Sequence, residues 1–144
     1  PSILGRVAPP GSGVYSGSKF ALEAMSDALR VELDRLGIDV VVIEPGSVET
    51  GFHDRLADEI DDGIEQRPDY EWLYEFIEDT RLLTDGGRLA AAPEEVAATI
   101  HDAASVSDPD ARYVVGRGAT YFLYLQYLPD RVRDAFIRLL RRVT

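Results

Sequence analysis

One run of six residues, Ile38-Asp39-Val40-Val41-Val42-Ile43, constrains the fold of this 144-residue chain more than any other. It is short, β-branched and nearly uninterrupted, the pattern of a parallel strand covered on both faces. Gly37 before it suits the left-handed position after a helix end, and Pro45-Gly46 stops it. A second, shorter strand is predicted at Arg112-Tyr113-Val114-Val115, and the remaining patterned segments read as helices. Two parallel strands cannot cover each other, and an open edge invites pairing with other chains. The sequence therefore predicts an α/β chain that forms only part of a parallel-sheet domain.

Residues 1–13, rich in Gly, Pro and Ser, read as a loop. From Val14 a helix is predicted to Leu36, apolar over much of its surface through Phe20, Leu22, Met25, Leu29 and Val31. An acidic stretch, 47–92, holds two expected helices, near 52–60 and 70–83, and an Asp85-Gly86-Gly87 turn. Pro93-Glu94-Glu95 opens a helix to about residue 104, with proline early and carboxylates at the positive dipole end. Helical pieces near 120–127 and 130–142 close the chain. The last is amphipathic and Arg-rich. It is expected to pack over its own core, with contact to a membrane surface as the less favoured alternative.

The formal net charge of −11 argues against nucleic acid, or an anionic membrane, as a partner for the chain as a whole. Acidic excess with a single Lys among fifteen basic residues fits a protein kept soluble in high salt. The absence of Cys excludes disulfides, thiolate metal sites and cysteine nucleophiles. Asp58, Glu59, Asp61 and Asp62 lack the ligand order of a calcium loop, so no metal site is expected. No apolar stretch is long enough to span a bilayer and no secretory signal is present, so a cytoplasmic location is expected.

The chemistry concentrates in Tyr15-Ser16-Gly17-Ser18-Lys19. Four residues apart on a helix, the phenol and the ammonium share one face. A neighbouring cation favours an ionised phenol, and such a group can pass a proton to or from an alcohol or carbonyl oxygen. That this is the only Lys calls for a reason: a compact ammonium fits where a guanidinium fork would not.

Three motifs in order carry a family resemblance. Ser2 stands thirteen residues before Tyr15, followed by Ile3-Leu4-Gly5. Tyr15-Ser16-Gly17-Ser18-Lys19-Phe20-Ala21-Leu22 is the second, and Pro45-Gly46-Ser47-Val48-Glu49-Thr50 matches a P-G-x-[VI]-x-T loop. Together they closely resemble the C-terminal half of short-chain dehydrogenases/reductases, strongly over residues 1–52 and more loosely over 90–118. The layout after Tyr113 is similar to hydroxysteroid and retinol dehydrogenase-like members. The resemblance implies the later part of a doubly wound, Rossmann-type parallel sheet whose first half is missing. It divides 1–144 into a catalytic and nicotinamide-loop segment (1–50), a substrate-lid segment (51–92) and a last helix–strand unit with C-terminal helices (93–144).

The same resemblance implies NAD or NADP as cofactor and hydride transfer between it and an alcohol or ketone, apolar in this branch. Tyr15 would be the general acid/base, Ser2 would orient the substrate oxygen, and Lys19 would bind the nicotinamide ribose and favour the tyrosinate. Pro45, Gly46, Val48 and Thr50 would hold the nicotinamide end. A homo-oligomer through the helix that starts at Tyr15 is implied as well. The phosphate-binding glycine turn and the catalytic asparagine belong to the half that would precede Pro1, so the chain alone is expected to bind cofactor weakly and not turn over. The rival reading is a non-catalytic remnant or dimerisation module. Phe52, His53, Tyr70, Trp72, Leu73, Tyr74 and Phe76 could line a substrate pocket or simply pack helices together.

Overall fold

The computed structural model describes residues 1–49, 67–84 and 90–143. Helix α1 spans Gly13–Leu33 and tightens into a 3-10 turn, Asp34–Leu36, that ends at Gly37 with φ 68°. There follow β1 (Val42–Pro45), α2 (Glu71–Thr84, led by a 3-10 turn at Pro68–Tyr70), α3 (Pro93–Ser105) and β2 (Arg112–Val115). A short α4 (Ala119–Leu123) runs into a 3-10 turn, Tyr124–Tyr127, and α5 (Asp130–Val143) closes the chain. The expected helix near 52–60, the 85–87 turn, and Thr50, Phe52 and His53 lie outside the described residues. Among the described residues no helix is long and apolar enough to cross a membrane.

β1 and β2 pair in parallel across α3, in register Val42↔Arg112 through Pro45↔Val115. The strand read from the sequence at 38–43 is thereby shortened and displaced. The ladder starts where Val42 N–H donates to Ala111 O at 3.0 Å, and Ile38 is half exposed. β2 is only four residues long and is the sole neighbour of β1 among the described residues, so 38–41 have no ladder to join. A strand exists only where its hydrogen bonds have a partner.

Two faces of β1 do different things. Val42 and Glu44 point to the side of α1, while Val41 and Ile43 face Ile100 and Ala103 of α3 across a cleft of about 400 Å³. Ile3, Val7, Ala119 and Leu123 form the buried cluster beneath the N-terminal turn, with Leu4, Val114 and Phe122 packed against it.

Both long amphipathic helices differ from expectation. The side of α1 that turns inward is polar, with Ser16 and Glu23 buried, whereas Phe20, Met25, Leu29 and Val31 are exposed. Helix α5 does not lay its apolar stripe on the core: Val132, Phe136 and Leu139 are about half exposed, and Arg133 and Ile137 are partly buried.

Candidate active site

Ser2 sits where the N-terminal segment turns. Its backbone is extended, and its Oγ accepts from Leu4 N–H at 3.3 Å, capping the 3-10 turn Ile3–Gly5. The same hydroxyl donates to Pro45 O at 3.2 Å, which fixes Ser2 to the C-terminal end of β1. The side chain is nearly buried.

Gly5 then lets this turn lie directly on α1. A Cβ there would stand 2.9 Å from Lys19 O and 2.9 Å from Glu23 Cγ, so no other residue fits without movement. The serine turn and the lysine turn of α1 are thus in van der Waals contact.

Tyr15 and Lys19 occupy the first two turns of α1. The helix opens through Ser12, whose Oγ donates to Pro9 O at 2.8 Å and accepts from Ser16 Oγ at 2.8 Å. Ser18 Oγ donates back to Tyr15 O at 2.7 Å. The Lys19 Nζ lies over the Tyr15 ring, 5.0 Å from its centroid, within the range of a cation–π contact. The ring is 38% exposed, so a reactant has access to it.

Beyond β1, Gly46 N–H donates to Val115 O at 2.8 Å, and a Cβ on Gly46 would press on Ala119 Cβ at 3.1 Å. Glycine permits that close approach. Val48 makes an isolated parallel bridge with Ala91, in which Ala91 N–H bonds Ser47 O and Ala91 O accepts from Glu49 N–H. Neither the N–H nor the C=O of Val48 takes part in that bridge, and both point to the opposite side.

The structure thus brings Ser2 against Pro45, Gly5 against Lys19, and Lys19 against Tyr15, at the carboxyl ends of the strands, where open α/β sheets place ligands. Thr50, the remaining expected cofactor residue, lies outside the described residues.

A network of six charged residues beneath this site escaped the sequence reading. Glu44, fully buried on β1, accepts from Arg6 at 3.2 and 3.4 Å and faces Arg112 Nε at 3.4 Å. Arg112 also bonds Glu23 at 3.3 Å and Asp27, and Asp27 pairs with Arg30 at 2.7 Å. The network joins the serine turn, α1, β1 and β2. Burial, followed by the neighbouring Glu44 charge, pushes the Glu23 carboxyl above its ordinary value, with Arg112 opposing. Hydrogen bonds from Arg30 and Arg112 hold Asp27 below its ordinary value. One signal was available: Glu44 follows Val42 by two, on the same strand face.

Comparison with known proteins points to a family. The family model described as short chain dehydrogenase matches residues 1–61. The chain resembles the C-terminal half of short-chain dehydrogenases. It is 33% identical over 99% of its length to the NADPH-dependent 3-dehydrocapnine reductase of Ornithobacterium rhinotracheale, covering 50% of that protein. It is 32% identical over 98% of its length to the 17-beta-hydroxysteroid dehydrogenase type 6 of Rattus norvegicus, covering 47% of it. The crystal structure of a short-chain dehydrogenase from Streptomyces avermitilis superposes with a TM-score of 0.66 at 28% identity, over 99% of this chain and 48% of that one. The chain spans about half the length of the curated relatives it matches, and the α/β parallel-sheet architecture is that of the later part of the family fold.

Proposed function

We propose that this chain is the catalytic second half of an NAD(P)-dependent oxidoreductase that interconverts a secondary alcohol and a ketone. The observation that carries the reading is the stacking of Lys19 Nζ over Tyr15, one turn below the opening of α1, with the serine turn seated on Lys19 through Gly5. In this reading Tyr15 gives a proton to, or takes one from, the substrate oxygen. Ser2 hydrogen-bonds that oxygen, releasing Pro45 O or sharing its proton. Lys19, over the Tyr15 ring, holds the ribose hydroxyls of the cofactor.

The residues present fit a nicotinamide. Pro45, Gly46, Val48 and Thr50 would hold it. The Val48 N–H and C=O left out of the Ala91 bridge form a donor–acceptor pair suited to a carboxamide, and Gly46 leaves no side chain in its way. When bound, the cofactor supplies or accepts the hydride. A relative named as an NADPH-dependent reductase and one named for a hydroxysteroid support a reducing cofactor and an apolar substrate. Homo-oligomerisation through α1 is part of the proposal, as is activity in the cytoplasm, in salt high enough to suit the acidic surface.

The test is turnover of a steroid, retinol and long-chain alcohol panel by the full-length protein carrying this half. Tyr15→Phe is expected to lower kcat at least 100-fold while NAD(P) affinity, read by calorimetry, changes little. Wild-type kcat in that variant would remove the proton role.

A further inference from the structure

We propose that α5 and the tyrosine turn before it form a docking surface for an anionic lipid bilayer. Three observations meet there. Val132, Phe136 and Leu139, spaced i, i+4, i+7, form an apolar stripe that the fold leaves 42–58% exposed, while Arg133 and Ile137 are partly buried. Tyr121, Tyr124 and Tyr127, three residues apart in the preceding turns, are 62–79% exposed. Arg131 and Arg138, one heptad apart, run along the flank of the stripe and are exposed. An amphipathic helix of low overall hydrophobicity with an arginine flank lies in the plane of a membrane interface, its apolar side a few ångströms below the headgroups. Tyrosine, apolar in its ring and polar at its tip, is suited to that depth.

Charge selects the bilayer over the other occupants. Residues 113–144 carry six Arg against two Asp, whereas 1–112 carry nine basic residues against 24 acidic ones. The net charge of −11 therefore hides a positive C-terminal end on a strongly negative body. An anionic surface would attract the one and repel the other, turning α5 toward it. Both forces are felt only within about 8 Å in physiological salt, the Debye length. A second copy meeting this face symmetrically would set arginine flank against arginine flank. An occupant of mixed apolar and anionic character fits both the stripe and its flank, and an anionic bilayer is one. The proposal is independent of the catalytic reading.

The experiment is co-sedimentation of the full-length protein carrying this half with vesicles of 70:30 phosphatidylcholine and phosphatidylserine, or of phosphatidylcholine alone. The chain is expected to bind the anionic vesicles at least tenfold more tightly, and to lose that preference in 0.5 M NaCl. Arg131→Gln with Arg138→Gln should weaken binding about fivefold per arginine, and Phe136→Glu with Leu139→Glu should abolish it. Met25→Glu, on the exposed face of α1, should leave it unchanged. Should the glutamate pair disturb folding by circular dichroism, Tyr127→Trp supplies a second reading: its emission shifts to the blue with anionic vesicles and is quenched by brominated acyl chains. The proposal is overturned by equal binding to both vesicles, or by loss of binding in Met25→Glu. It fails too if the glutamate pair dissociates a dimer without affecting vesicle binding, or if neither vesicle is bound.

Discussion

Glu23 is held under α1 with Oε2 on Arg112 and Oε1 without a partner among the described residues, 6% exposed and close to the fully buried Glu44. Its carboxyl is pushed up, so the folded chain binds that proton more tightly than the unfolded chain. Linkage then sets the sign: no penalty applies below the ordinary value near 4.5, and stability falls as pH rises from there through the raised value. Glu23→Gln keeps an acceptor for Arg112 and removes the charge. Its urea midpoint is expected to gain on the wild type between pH 4.5 and neutrality. Parallel pH slopes for the two proteins would show that Glu23 ionises normally. Asp27, held low, contributes with the opposite sign and only in more acidic solution. Gly5 offers a second case. A methyl there meets Lys19 O at 2.9 Å, and a helix carbonyl cannot rotate away. Gly5→Ala should cost about 1–3 kcal/mol by urea unfolding, the range for overpacking. The juxtaposition of Tyr15 and Lys19 was legible in the sequence because helical spacing places them together. The importance of Gly5 and Glu23 was not, since it depends on what lies across from them.

At the scale of elements, punctuation was read well and pairing was not. Gly37 ends the α1 segment in the left-handed conformation, Pro93 and two carboxylates open α3, and β2 lies at its expected residues. These boundaries are local properties of the chain. The strand at 38–43 was misread because apolar β-branched composition does not say where the neighbouring strand begins. The inward side of α1 was equally hidden: a helix apolar over much of its surface does not show which side turns inward, and the ion network occupies that side. The two halves of the apolar run should therefore respond differently. Val42, 1% exposed and paired with Arg112, is expected to lose about 2 kcal/mol as Val42→Ala. Ile38, 50% exposed, should lose less than about 0.5 kcal/mol as Ile38→Ala. Equal losses by urea unfolding would mean that the first half of the run is paired in solution.

The whole molecule exposes 10251 Å², against about 7,400 Å² for a folded monomer of its 15.9 kDa mass. The difference, roughly 2,900 Å² on this chain alone, is what one side of a large obligate interface contributes. Part of it is visible: among the described residues β1 has a neighbour on one side only, and Phe20, Met25, Leu29 and Val31 stand exposed on α1. Relatives about twice as long provide a source for the missing cover, since a parallel sheet is stable only with neighbouring strands and helices on both faces. Alone, the chain should therefore either self-associate or remain loosely packed. Raising salt should favour association, because screening removes the repulsion among acidic residues while leaving the apolar faces attractive. The expected result is a sedimentation coefficient that grows with concentration and with NaCl, together with strong binding of a hydrophobic dye. Met25→Glu with Leu29→Glu should reduce both effects by charging the α1 face. A monodisperse monomer with sharp two-state urea unfolding, and no dye binding, would mean that these faces are covered in solution by the chain itself. The same experiment on a full-length form separates the two possible covers. If the first half seats on α1, association disappears; if a second copy does, a defined dimer or tetramer remains, and the glutamate pair dissociates it.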